Sequence, residues 1–221
     1  NREEMSQLDA VIRQSRRLKR GEYLFRAGEP FKSMFAIRTG FFKTCISSHD
    51  GREQVTGFQM SGELLGLDGV SSGAHGCDAV ALEDAEVCEL PFVRMESLGR
   101  EIPSLQHHFF RLMSREIVRD QSVMLLLGNM KAEERLAAFL LNLSQRFSAR
   151  GFAANDFILR MSREEIGSFL GLKLETVSRT LSKFQSQGWI TVEHKHIQLI
   201  QPERLKDLVG GCLPATQPPQ S

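Results

Sequence analysis

The chain has 221 residues, 41% of them hydrophobic and 25% charged, with a net charge of +1. That composition is ordinary for a globular protein and leaves room for one large domain or two small ones. No apolar run approaches the ~18 residues a membrane-spanning helix needs, and no signal peptide is expected, so the expected compartment is the cytoplasm.

The near-neutral charge averages over a split. Residues 131–210 hold twelve Lys and Arg against nine Asp and Glu, whereas residues 1–130 hold sixteen against eighteen. The C-terminal part is mildly basic, which suits contact with phosphates. Four cysteines, Cys45, Cys77, Cys88 and Cys212, are scattered with no CxxC spacing. In a cytoplasmic chain they form neither a disulfide framework nor a self-contained zinc site.

Residues 3–14 are predicted as a short helix. From about 18 to 92 the sequence breaks into short runs: "YLFRAG", "MFAIRTG", "FFKTCISSHDG", "QVTGFQMSG" and "AVALEDAEVCELPF". Strand-length runs separated by turn residues predict a β-roll, a double sheet of jelly-roll type, over 1–100. The period then changes. A helix is predicted from Pro103 to Leu127, roughly 38 Å long at ~1.5 Å per residue. Phe110, Met113, Ile117, Asp120, Met124 and Leu127 alternate at spacings of three and four, a coiled-coil seam. Such a seam predicts a parallel partner, most simply a second copy of the chain, with 101–128 as the dimerisation helix. Two copies would bring Asp120 near its twin, where like charges ~4 Å apart cost up to ~4 kcal/mol; the alternative is that it faces solvent at the seam's edge.

A third section, 129–210, opens with the amphipathic "AEERLAAFLLNLSQRF", followed by the turn region "ARGFAANDF". In "MSREEIGSFLGLKLETVSRTLSKFQSQGWI", Ser162 and Glu165 form a capping box that starts a helix. Gly171 turns the chain, Gly167 allows close approach, and Val177 packs between this helix and the next: the pattern of a helix-turn-helix. On the second helix Leu174, Val177, Leu181 and Phe184 are expected to face the core. Glu175, Ser178, Arg179 and Ser182 lie opposite. "WITV" and "HIQLI" around "EHK" complete a winged helix. The tail, 211–221, holds three prolines and no charge and is expected to be disordered.

The outward row has the chemistry of base readout. Arg179 can donate bidentately to guanine O6 and N7, Glu175 can accept from a cytosine amino group, and Ser178 can do either. The alternative is a solvated face with an i,i+4 Glu175–Arg179 pair worth ~0.2–0.5 kcal/mol. The capping box, glycine turn, packing valine and wing together favour DNA. An enzyme is not expected: a metal-binding roll needs several converging histidines, and only His49 and His75 fall in that section, both in loops. A pure interaction module would explain the seam but not the Glu/Ser/Arg row. The pairs His107/His108 and His194/His196 have no third ligand beside them.

With these motifs the sequence resembles the CRP/FNR family of bacterial transcription regulators over nearly its whole length. "ETVSR" (175–179), "EQVTGF" (53–58), "AEERLAAF" (132–139) and "IGSFLGL" (166–172) resemble the FNR branch in particular. The resemblance implies that Glu175, Ser178 and Arg179 read a TTGAT-type half-site, and that a twofold dimer binds a palindrome and contacts RNA polymerase. It also implies a signal. Cyclic-nucleotide readers of the family carry a Gly-Glu pair and then Arg-Ser or Arg-Thr; here "GEL" (62–64) supplies the first, but Cys77 and Asp78 stand in for the second. No cyclic nucleotide is expected, because Asp78 would repel a phosphate.

The FNR branch instead carries an oxygen-labile [4Fe–4S] cluster on four cysteines, one of them in the β-roll, where Cys88 in "DAEVCELPF" matches. The other three belong to an N-terminal segment with no counterpart in this chain, which starts at Asn1 rather than Met. By itself the chain is not expected to hold the cluster. Three accounts stay open: a trimmed product, proteolysis, or a cluster-free regulator answering another small-molecule or redox signal. The resemblance further implies that an acidic residue, here Asp120, keeps the cluster-free protein monomeric.

Overall fold

The computed structural model describes residues 15–47, 51 and 53–210. The helix expected over 3–14, His49, Cys212 and the 211–221 tail lie outside the described residues, as does the side chain of Asp120. The chain divides into two compact units at residues 114/115.

The first unit is built from eight antiparallel strands: β1 (Ser15–Leu18), β2 (Tyr23–Phe25), β3 (Ser33–Thr39), β4 (Phe41–Ser47), β5 (Glu53–Met60), β6 (Leu64–Leu65), β7 (Asp78–Ala81) and β8 (Ala85–Pro91). They form two four-stranded sheets, ordered β1-β8-β3-β6 and β2-β7-β4-β5. One sheet contributes Leu18, Phe35, Ile37, Leu65, Ala85 and Val87 to a single apolar core; the other contributes Leu24, Phe25, Phe42, Ala79 and Ala81. Alternation along β8 explains the layering, since Ala85 and Val87 are buried while Glu86 and Cys88 stay partly exposed. This is the double-sheet roll expected from the sequence.

Helix α1 (Phe92–Glu101) follows β8 directly. It was not evident from periodicity, because its buried apolar contribution is small: Leu98 with Ile102, flanked by Met95 and Leu105. Helix α2 (Pro103–Asn129) comes next.

In the second unit α3 (Ala132–Ser148) is the central helix, with Leu136 to Leu141 and Leu143 all buried. Around it come β9 (Asp156–Ile158), α4 (Arg163–Leu170), α5 (Leu174–Ser186), β10 (Ile190–Glu193), β11 (His196–Leu199) and α6 (Pro202–Val209). The wing holds one strand more than the sequence suggested, with sheet order β10-β11-β9. Helix α6 was also missed, although Pro202 at its start and left-handed Gly210 at its end are the expected boundary residues. Its buried Leu205 and Val209 accompany packing against α3. Among the described residues no helix is long and apolar enough to cross a membrane.

Phe42, fully buried between the two sheets, tests the roll. Phe42→Ala should cost ~3–5 kcal/mol by urea denaturation.

Candidate nucleic-acid interface

Local chemistry fixes the two-helix unit. The Ser162 hydroxyl accepts from the Glu165 amide at 3.1 Å, and the Glu165 carboxylate accepts from the Ser162 amide at 2.7 Å. Two of the four orphan donors at the start of α4 are thereby satisfied. At its end Gly171 takes φ 63° and ψ 38°, left-handed and natural to glycine. Gly167 is required for a different reason. The Leu172 amide donates to the Gly167 carbonyl at 2.8 Å, and a Cβ on Gly167 would lie 2.6 Å from the Leu172 carbonyl oxygen. The turn closes only because that Cβ is missing.

Helix α5 buries Val177, Thr180, Leu181 and Phe184. Leu174, expected on this stripe, is 44% exposed. It begins the helix, where the chain has not yet reached the core, and Thr180 takes the fourth buried place. Glu175, Arg179 and Ser182 are exposed and Ser178 is half-buried. Ser182 donates back to the Ser178 carbonyl at 3.1 Å. Among the described residues neither the Glu175 nor the Arg179 side chain makes a hydrogen bond or ion pair, so the i,i+4 pair that would have made this a plain solvated face is absent.

Two links tie this unit to the helices behind it. The Lys183 ammonium of α5 reaches both Glu133 carboxylate oxygens of α3, at 2.6 and 2.7 Å. The half-buried Arg135 guanidinium donates to three main-chain carbonyls: Met130 at 2.8 Å, Leu127 at 2.8 Å and Leu170 at 3.0 Å. A cation at the C-termini of α2 and α4 satisfies carbonyls that helix geometry leaves open. The wing is braced by Asp156, which accepts from Gln198 at 2.8 Å and contacts His196 Nε2 at 2.6 Å. These bonds, with Gln198 the larger, hold the Asp156 carboxyl below its usual range.

In the roll, three cysteines are free. Burial, aided by nearby carboxylates, pushes the thiols of Cys45 and Cys77 up to about 12. Cys88, half-buried like Cys77, is on the outer face of β8 between Ala36 of β3 and Ser15 of β1. Around Cys77, Asp68 accepts from the Gly76 amide at 2.7 Å and the Cys77 thiol at 3.5 Å, and Asp78 accepts from the Ala27 amide at 2.8 Å. Glu63 accepts from the Met60 amide at 2.9 Å, closing the turn between β5 and β6.

Residues 134–208 match the Crp-like helix-turn-helix domain and residues 15–101 the cyclic nucleotide-binding domain. The chain is 48% identical to the transcriptional activator protein Anr of Pseudomonas protegens, over 96% of this chain and 87% of that one. It is 44% identical to the fumarate and nitrate reduction regulatory protein of Escherichia coli, over 95% and 84%. The chain belongs to the CRP/FNR family of transcription regulators, on its FNR branch. Among solved structures FixK2 from Bradyrhizobium japonicum superposes with a TM-score of 0.81 at 30% identity, covering 88% of this chain and 96% of that one. A CRP/FNR regulator from Thermus thermophilus, TTHA1359, shares the fold at 19% identity and a TM-score of 0.69. CRP/FNR regulators are not enzymes, and the winged helix of this one is its DNA-binding part.

The Gly167 contact yields a direct test in this CRP/FNR helix-turn-helix. Gly167→Ala forces main chain apart, and overpacking of that kind costs ~1–3 kcal/mol. The variant should show that loss in thermal or urea unfolding, together with weaker DNA binding.

Proposed function

We propose that this chain is an FNR-type, oxygen-responsive activator that binds TTGAT-like palindromes as a homodimer in the cytoplasm. The observation that carries the DNA reading is the row Glu175, Ser178 and Arg179, with both charged members exposed and unpaired on a helix fixed by Ser162, Gly167 and Gly171. A side chain already paired on its own helix would have to break that pair to reach a base; these do not. Arg179 reads a guanine, Glu175 accepts from a cytosine amine, and Ser178 supplies a donor or acceptor. As an activator the protein also contacts RNA polymerase.

The homodimer rests on α2. Phe110, Ile117 and Met124 are 59%, 56% and 72% exposed, with Met113 and Leu127 half-buried. An apolar row left that open in one chain is accounted for by a second copy. Asp120 lies in the same heptad series and opposes pairing until a signal favours it.

For the signal, the environment of Cys77 and Asp78 speaks against a cyclic nucleotide. Two carboxylates, Asp68 and Asp78, stand where a phosphate would need a cation. The alternative cofactor is a [4Fe–4S] cluster, for which soft thiolates are the fitting donors. Cys88 suits one ligand position, being partly accessible and directly opposite Ser15 on an edge strand. Four ligands do not fit the residues described: among them no three His, Cys, Asp or Glu converge on a metal position. A four-cysteine cluster would need three further thiolates besides Cys88. A cluster-free regulator is the second reading, favoured by this same single ligand.

Two experiments separate these readings. In gel shifts, Arg179→Ala should lose ~1–3 kcal/mol and relax preference at one guanine; equal weakening on every sequence would make Arg179 a phosphate contact. The product of the native full-length gene, purified without oxygen, should hold about four irons per chain and lose them on Cys88→Ala. Absence of iron there would leave the cluster-free reading.

A further inference from the structure

The Arg135 guanidinium joins three points: the last turn of α2 at Leu127, the connecting residue Met130, and the C-terminus of α4 at Leu170. All three acceptors are main-chain carbonyls, so the bonds fix backbone to backbone and do not slacken through a second flexible side chain. The glycine at the end of α4 makes room for this link: a Cβ on Gly171 would come within 3.3 Å of the Arg135 Nη1 and 3.7 Å of Leu127 Cδ2. Two residues away on α3, Glu133 holds α5 through Lys183. The first turn of α3 thus grips both helices of the DNA-binding unit, and Arg135 extends that grip to the helix that carries the seam.

We infer that Arg135 is a positioning residue that sets the distance between the two DNA half-sites the dimer accepts. The inference rests on the dimeric, palindrome-binding reading above. In a twofold dimer the seam of α2 relates the two copies, and each recognition helix α5 follows its own α4. A rigid link from the end of α2 to the end of α4 fixes how far apart, and at what rotation, the two recognition helices present their side chains. DNA is exacting about both, since one base pair changes the half-site separation by ~3.4 Å and its rotation by roughly a tenth of a turn. A planar guanidinium with donors in a fixed fork can serve three carbonyls at once; an ammonium on a flexible stem keeps the charge but not that geometry.

The test uses the full chain and duplexes with two TTGAT-type half-sites separated by the preferred gap, or by one base pair more or less. The wild-type protein should prefer one gap over both neighbours by about tenfold or more. Arg135→Lys should stay dimeric and folded yet bind the three duplexes within about threefold of one another, as expected when a guanidinium serving three carbonyls is replaced by a point charge. Lys183→Met, which breaks only the α3–α5 link, should weaken binding to all three equally and keep the preference. If Arg135→Lys does not fold, Arg135→Gln, which retains a planar donor, replaces it with the same expectation. A folded variant at 135 that keeps the wild-type gap preference would overturn the inference, and so would failure of both variants to fold, which would make Arg135 purely structural. If the wild-type protein bound none of the duplexes, or showed no gap preference, the palindrome-binding reading would fall first and the role of Arg135 with it.

Discussion

The DNA-binding unit depends on a place where two stretches of main chain nearly touch. The Gly167 backbone lies against the Leu172 carbonyl with no space for a side chain. That approach lets α5 leave α4 in a few residues and still bury Val177, Leu181 and Phe184. With the buried face of α5 set, the opposite face follows from helix periodicity alone. Glu175, Ser178 and Arg179 are therefore placed by packing on the other side of their own helix. Their outward placement needs no additional contacts, which agrees with the lack of side-chain partners for the two charged ones among the described residues.

The roll applies a different constraint. Its two sheets close over one core, so along the first half of β8 Ala85 and Val87 are committed to the interior while Glu86 and Cys88 face outward. The cysteines sit differently in it. Burial and nearby carboxylates raise the thiols of Cys45 and Cys77, whereas Cys88 alternates outward beside edge strand β1.

Much of this was legible in the sequence because it is local. Ser162 with Glu165, Gly167 with Gly171, and the alternating strand runs carry their structural consequences within a few residues. What was missed depends on partners far away or on few residues. Helix α1 buries little, α6 is stable only against α3, and β9 becomes a strand by pairing with β11. Leu174 looked like core by spacing, but a helix's first residue can precede the packed layer. Arg135 gave no sign at all, since its acceptors are backbone carbonyls and every residue has one. A motif search sees side chains paired with side chains and is blind to a guanidinium that bonds only main chain.

The acidic residue in the outward row bears on more than one contact. Nearly every DNA site offers the same phosphates, which repel a carboxylate wherever no base amine faces it. Glu175 is exposed on α5, and the chain as a whole carries a net charge of only +1. If the row reads bases as proposed, the protein would hold foreign DNA weakly and most copies would stay free for matching sites.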